Sequence, residues 1–139
     1  MTMQVKARAN RDDHLRHTVR MRHHSSTVDE PADMGGDDAG PTPQELMAAS
    51  LASCTAITLQ MYADRKGWDI GDIEVECTYT PAPERGCPTR FELIMRVDGQ
   101  ISDEHLERLR VIATKCPVHR VLDGEVMFDE RVERVAHVA

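Results

Sequence analysis

The amino-acid sequence predicts a single α+β domain with a mainly antiparallel sheet. Three observations lead to this prediction: a long apolar segment with helix start and stop signals, two alternating segments joined by a Pro- and Gly-containing turn, and a second, amphipathic helical segment. The length of 139 residues is that of one ordinary domain.

The first forty residues alternate irregularly between polar and β-prone segments, which predicts short strands and turns of an N-terminal sheet. A stretch rich in Gly, Pro and Asp follows at residues 31–43 and predicts a loop. This loop leads to the start of the long helix.

The long helix is predicted over residues 43–66. Thr42 and Glu45 have the spacing of a capping box, with Pro43 at a position that needs no amide donor, and Gly67 is a typical stop. The middle of the segment is apolar or small on every face, so we expect a helix that is buried all round.

Residues 72–97 predict a hairpin, because residues 72–80 and 89–97 each alternate apolar and polar side chains and a Pro-rich turn joins them. A pair of helices is predicted over residues 102–122, and Gly124 leads into a final strand over residues 125–132.

Within the helix pair, Ser102 is a typical N-cap, and a helical stripe of apolar residues extends to about Lys115. The dipeptide Cys116-Pro117 should end this first helix, since a residue before proline avoids the helical region. A short second helix, residues 118–122, can begin there.

Composition and charge limit the possible partners. The formal net charge of −7 argues against a nucleic-acid partner, because such surfaces need clustered Lys and Arg. No run of about 18 or more apolar residues and no secretory signal is found, so we expect a soluble, cytoplasmic protein that does not bind a membrane.

The four cysteines are Cys54, Cys77, Cys87 and Cys116, and no two form a CxxC pair. In a reducing compartment this pattern favours reactive or buried thiols over disulfides or a zinc site. Cys77 falls on the apolar face of a strand and is expected in the core. Cys87 lies in a turn and is expected to be exposed and without a role.

Cys54 and Cys116 are the candidate reactive residues. Cys54 has hydroxyl neighbours, Ser53 and Thr55, that could hydrogen-bond a thiolate, although a buried, inert thiol is more typical of such a helix. Cys116 should lie at the N-terminus of a short helix with His119 and Arg120 nearby, where thiolates are stabilised. The alternative is a helix-capping cysteine without chemical consequence.

The histidines at positions 14, 17, 23 and 24 could bind a transition metal. They lack a helical HxxxH pattern and a carboxylate at ligand spacing, which favours a solvated polar strand instead. We therefore predict neither a metal nor an organic cofactor.

Two segments, GGDDAGPTPQELMAASLASCTAITLQMYADRKGW and LRVIATKCPVHRVL, resemble the OsmC/Ohr family, in its OsmC-like branch rather than Ohr proper. The resemblance runs in order from about Pro31 to the end of the chain. It implies an intertwined homodimer with long buried central helices packed against mainly antiparallel sheets. In the best-known members a helix cysteine reduces organic hydroperoxides and a second cysteine resolves the product. By motif, these positions fall on Cys54 and Cys116.

The sequence departs from the peroxidase branch at two family positions. Gln44 stands where that branch has Glu, with the acid one residue later at Glu45, and Asp13 stands where it has a peroxide-binding Arg. Arg11 and Arg16 are near Asp13 but out of register.

Glu45 cannot contact its own Cys54, because nine helical steps place it roughly 13 Å away along the axis and on the opposite face. It could act on a thiol only from a second subunit. A capping role toward Thr42 is favoured.

The predicted function is thiol-dependent reduction of a small organic hydroperoxide by Cys54 and Cys116, with a cellular dithiol as reductant. We expect the Cα atoms of this pair to lie within about 7 Å of each other, or to be brought there by a small local shift. One alternative is a non-enzymatic OsmC-like protein that binds an apolar small molecule in the dimer cleft. Metal storage through His and Cys is a second.

Overall fold

Two antiparallel sheets and three α-helices form the computed structural model, which describes residues 1–136. The elements are β1 (Val5–Arg8), β2 (His17–Met21), β3 (His24–Val28), α1 (Pro43–Lys66), β4 (Ile73–Thr80), β5 (Arg90–Val97), α2 (Asp103–Ala113) and α3 (Pro117–Leu122). One sheet has the order β1-β2-β3 and the other is the hairpin β4-β5. The predicted α+β class is confirmed.

Helix α1 begins and ends at the predicted residues. The Thr42 hydroxyl accepts a hydrogen bond from the Glu45 amide at 3.1 Å, and the Glu45 carboxylate accepts one from the Thr42 amide at 3.0 Å. At the other end Gly67 adopts the left-handed conformation, with φ of 70°, that stops helices. Both ends of the helix therefore have their polar groups satisfied locally.

Only one face of α1 is buried within the chain, so the expectation of burial on all sides is wrong for the single subunit. The covered face carries Leu51, Thr55, Leu59, Tyr62 and Ala63. On the uncovered face, Ile57 and Met61 remain 54% and 63% exposed. The other face is exposed because the elements that pack against α1, namely β4, β5, α2 and α3, leave it uncovered.

The hairpin covers α1 through its inner face. Its register places Ile73 opposite Val97 and Cys77 opposite Leu93, and burial alternates along both strands as predicted. The hydrophobic core lies between hairpin, α1 and α2, and its buried members are Leu59, Tyr62, Ala63, Ile70, Leu109, Ile112 and Ala113. Cys77, expected in the core, is only half-buried, because the inner face of β4 keeps some contact with solvent.

Cys87 is also half-buried rather than exposed. Its thiol points to the Glu84 carboxylate of the same turn, 3.9 Å away. This local contact shields the sulfur in part.

The final strand predicted over residues 125–132 does not form. From residue 125 to residue 136 the chain has no regular secondary structure, and Phe128 and Val132 are largely exposed. A strand requires a neighbouring edge to satisfy its amides and carbonyls. No strand among the described residues pairs with this segment.

Asp29, at the end of β3, holds the loop that leads to α1. Its side chain is 2% exposed, and its carboxylate accepts hydrogen bonds from the amides of Glu30, Asp37 and Ala39 at 2.8–3.2 Å. These bonds, with the Ala39 amide contributing most, hold the pKa of Asp29 below its ordinary value of 3.8. Asp29 therefore stabilises the loop in its ionised form.

We expect Asp29→Asn to lower the melting temperature by several degrees at neutral pH, because an amide nitrogen would face two backbone donors. A carboxylate with a lowered folded pKa stabilises the protein above its unfolded pKa. That stabilisation should disappear in the parent as pH falls from about 3.8 through the lower folded value. Thermal unfolding across this range tests it, with the exposed Asp33→Asn as control; equal melting temperatures for the two variants would contradict the assignment.

Candidate functional site

Helices α1 and α3 bring Cys54 and Cys116 together, although the two residues are 62 positions apart in sequence. The two side chains are close enough to interact, because the Cys116 thiol raises the pKa of Cys54. Cys54 is partly accessible to solvent, whereas Cys116 is fully buried. A dissolved molecule can thus reach the Cys54 thiol but not the Cys116 thiol.

The first turn of α3 supplies amide donors to both sulfurs. Cys116 is the N-cap of this helix, and its sulfur accepts from the His119 amide at 3.2 Å. The Val118 amide acts on the sulfur of Cys54, where it lowers the pKa of that thiol. Pro117, between them, has no amide hydrogen to satisfy. Cys116 therefore caps α3 and, at the same time, lies near Cys54.

Two threonines of α1 complete the hydrogen bonding. The Thr55 hydroxyl, fully buried, donates to the Cys116 sulfur across 3.7 Å. The Thr58 hydroxyl, one helical turn beyond Cys54, lowers the pKa of the Cys54 thiol. Ser53, expected to assist Cys54, instead donates to the Ala49 carbonyl at 2.8 Å.

The expectation that Cys54 uses its immediate neighbours was therefore wrong. Side chains four residues apart lie on the same face of a helix, whereas adjacent ones diverge. By this spacing, the sequence indicates Thr58 as the hydroxyl on the same helix face as Cys54.

The environment raises the pKa of Cys54 above its ordinary value of 9.0. Partial burial is the largest cause, and the Cys116 thiol adds to it, while the Val118 amide and the Thr58 hydroxyl act in the opposite direction. In the single chain the neutral thiol is consequently the main form at neutral pH.

An open cavity of about 420 Å³ lies where α1, β5 and α3 meet. Its lining residues are Leu51, Thr89, Phe91, Leu93, His119, Leu122 and Asp123. Leu51 and His119 lie three residues from Cys54 and Cys116 respectively. The cavity is thus lined by residues of the same two helices that carry the thiols, and neither cysteine is part of its wall.

The other residues singled out in the sequence contact neither thiol in the interactions described. Glu45 caps α1, and the Asp13 carboxylate accepts from the Asn10 amide at 2.8 Å. Arg16 faces Asp29, where its charge helps lower the pKa of that carboxyl. Arg11 and Arg120 are exposed.

The N-terminal histidines do not assemble a metal site in the part of the chain that the structure describes. The rings of His23 and His24 have centroids 4.0 Å apart and planes tilted by 39°, and His14 lies 3.9 Å from Asp37. Across residues 1–136 no three His, Cys, Asp or Glu side chains converge as metal ligands would.

Comparison with known proteins identifies one family. The family model described as OsmC-like protein matches residues 35–131. Both candidate cysteines lie within this range. No curated protein shows significant sequence similarity to the chain.

Solved structures share the whole fold. An osmotic stress induced and detoxification response protein from Psychrobacter arcticus 273-4 is 25% identical, with a TM-score of 0.71 over 87% of this chain and 88% of its own. An OsmC-like protein from Mycoplasma pneumoniae is 19% identical, with a TM-score of 0.74 over 89% of each chain. An organic hydroperoxide resistance protein from Legionella pneumophila is 22% identical, with a TM-score of 0.67 over 89% and 90%.

The raised pKa of Cys54 predicts slow alkylation by iodoacetamide at neutral pH, with a rate that climbs beyond pH 9.0. Thr58→Val should slow alkylation at neutral pH severalfold, because it removes a donor that stabilises the thiolate. Thr78→Val, on the exposed face of β4, is the matched control. Mass spectrometry of the Cys54 peptide follows the reaction; a rate that is already constant at neutral pH would refute the prediction.

Proposed function

The chain belongs to the OsmC-like protein family, and from this membership we propose that it reduces small organic hydroperoxides with Cys54 and Cys116 as its redox pair. The contact between one accessible and one buried thiol is the observation that supports this function most directly. The name of the Legionella pneumophila relative, an organic hydroperoxide resistance protein, agrees with it.

In the first step the Cys54 thiolate attacks the outer oxygen of the hydroperoxide. The O–O bond breaks, Cys54 becomes a sulfenic acid, and the inner oxygen takes up a proton and leaves as an alcohol. The Val118 amide and the Thr58 hydroxyl stabilise the thiolate that begins the reaction. The alkyl part of the substrate fits the cavity wall formed by Leu51, Phe91 and Leu93.

In the second step the Cys116 sulfur attacks the sulfenic sulfur, which forms a disulfide and releases water. Thr55 orients the Cys116 sulfur, and burial protects it from competing oxidants. A cellular dithiol then reduces the disulfide by exchange. The cycle requires no metal or organic cofactor.

A homodimer completes the proposed assembly. The uncovered face of α1 and the C-terminal segment leave Ile57, Met61 and Phe128 in solvent, an arrangement that a second subunit would relieve. A second copy would also offer residues 125–132 the strand edge that one chain lacks.

The cytoplasm suits a cycle that ends in dithiol exchange. Within residues 1–136 one helix, Pro43–Lys66, is long and apolar enough to cross a membrane by length and composition alone. Here it is the core helix of a soluble fold, and no membrane role follows from it.

A non-enzymatic, ligand-binding function is the second candidate. A cavity of about 480 Å³ with a mainly apolar wall opens between the N-terminal sheet and the start of α1, beside Val19, Val28 and Leu46. The raised pKa of Cys54 and the absence of Arg at position 13 favour this alternative.

Cysteine variants separate the two functions. We expect Cys54→Ser to abolish consumption of cumene hydroperoxide, whereas Cys116→Ser should complete one turnover and leave a sulfenic acid that dimedone traps. Cys77→Ser and Cys87→Ser are controls and should cycle like the parent. Stopped-flow kinetics should show alkyl hydroperoxides reacting faster than hydrogen peroxide. If Cys54→Ser consumes peroxide as fast as the parent, or dimedone labels no cysteine, the ligand-binding function is favoured.

Sedimentation equilibrium tests the dimer. The parent should be dimeric at micromolar concentration, and Ile57→Glu should shift it toward monomer, because a charge on an apolar interface is strongly unfavourable. Met34→Glu is the control, since Met34 is more exposed than Ile57 and ends a short surface 3-10 helix away from α1. A monomeric parent would exclude the dimer.

A further inference from the structure

A second cleft, away from the thiol pair, lies between the C-terminal end of α1 and helix α2. It encloses about 340 Å³ and is lined by Tyr62, Lys66, Trp68, Glu104, His105, Glu107, Arg108 and Val111. Tyr62 is eight residues beyond Cys54, which is about 12 Å along the helix axis. The cleft is therefore separate from the redox pair.

Three cations surround the tyrosine of this cleft. The charged groups of Arg65, Lys66 and Arg108 lie 5.9, 5.7 and 5.8 Å from the centre of the Tyr62 ring. Within residues 1–136 none of the three forms an ion pair with a carboxylate. In a chain of formal charge −7, such a group of unpaired cations is a local exception.

Of the two carboxylates that border the cleft, only Glu104 sets an uncompensated negative charge against Lys66 and Arg108. Glu107 is engaged by Arg110 at 2.6 Å, and Glu104 makes no ion pair with a described residue. The Arg108 guanidinium donates to the Tyr62 hydroxyl at 3.0 Å, which lowers the pKa of Tyr62. Because that hydroxyl accepts from Arg108, its own proton is free to be donated to a ligand.

Aromatic rings form the other wall. The Trp68 indole stacks on the His105 ring, with centroids 3.8 Å apart and planes 13° from parallel. The Tyr62 ring meets Trp68 edge-on at 5.5 Å. These contacts hold Trp68 in place, and its indole lines the same cleft as Lys66 and Arg108.

We propose that this cleft binds a small organic anion, whose carboxylate or phosphate is held by Lys66, Arg108 and the Tyr62 hydroxyl while its apolar part lies against Trp68 and Val111. Cationic side chains provide charge-assisted hydrogen bonds to such oxyanions. The volume is at the lower end of that of small-molecule sites. The binding site is independent of the redox function proposed for Cys54 and Cys116.

The only tryptophan of the sequence, Trp68, reports directly on the cleft. We expect titration of the full-length protein with benzoate to give a saturable change in tryptophan emission, and benzyl alcohol, the same ring without the charge, to give none. Lys66→Gln and Arg108→Gln should each raise the benzoate midpoint about tenfold, the effect of losing one charge-assisted hydrogen bond. Added salt should weaken binding.

Arg85→Gln removes one positive charge from an exposed turn outside the cleft and should leave the midpoint unchanged. Circular dichroism verifies folding; because Lys66 is an exposed residue in the last turn of α1, its variant carries the test if Arg108→Gln does not fold. An identical response to benzoate and benzyl alcohol, an unchanged midpoint in Lys66→Gln, or the lack of any saturable change would overturn the proposal.

Discussion

Leu51, Thr55 and Leu59 follow one another at intervals of one helical turn along α1, and all three are withdrawn from solvent. Burial of a leucine side chain contributes roughly 1.5–3 kcal/mol, so this stripe is a main source of the stability that holds the hairpin and α2 in place. Thr55 is the polar member of the stripe, and its hydroxyl needs a partner when buried. It finds the Cys116 sulfur, which ties the start of α3 to the middle of α1.

In this arrangement, burial makes the Cys54 thiol harder to ionise. The packing that places Cys116 behind Cys54 also removes water from Cys54, and it is this desolvation that raises the pKa of Cys54 most. The Val118 amide and the Thr58 hydroxyl oppose the effect but do not cancel it. The reaction proposed for Cys54 therefore requires a positive group or donor beyond those of the single chain to activate the thiol. Neither Asp13, which caps a local turn, nor Glu45, which caps α1, is such a group.

The sequence was sufficient where local chemistry decides the structure. Thr42, Glu45 and Gly67 define the ends of α1 by backbone hydrogen bonding, and alternation defines the hairpin strands. It was insufficient where the result depends on distant parts of the molecule. The uniformly apolar α1 gave no indication of which face the chain covers, and residues 125–132 have strand-like residues but no edge to pair with.

In the candidate site, too, the sequence predicts the features that depend on local residues and misses those that depend on distant ones. The two cysteines could be proposed from the sequence because each has a recognisable local setting, in a helix of small residues and before a proline. The effect of Thr58 on the pKa of Cys54 follows helix spacing but was not predicted. The amide of Val118 could not have been assigned from sequence, since its role requires α3 to dock against α1. The cationic cleft around Tyr62 was hidden for the same reason, because Arg108 arrives from another helix.

The covered face of α1 changes character along its length. Near its middle it meets the polar start of α3 at Cys54 and Thr55; at Leu59 it enters the apolar core; and at Tyr62 it meets the cations of the cleft. Polar groups at both ends of the stripe are satisfied by side chains or amides from α2 and α3, so neither end leaves an unpaired buried atom among the described residues. The apolar core around Leu59 thus separates the polar contacts at Thr55 from those at Tyr62, although both lie on one helix.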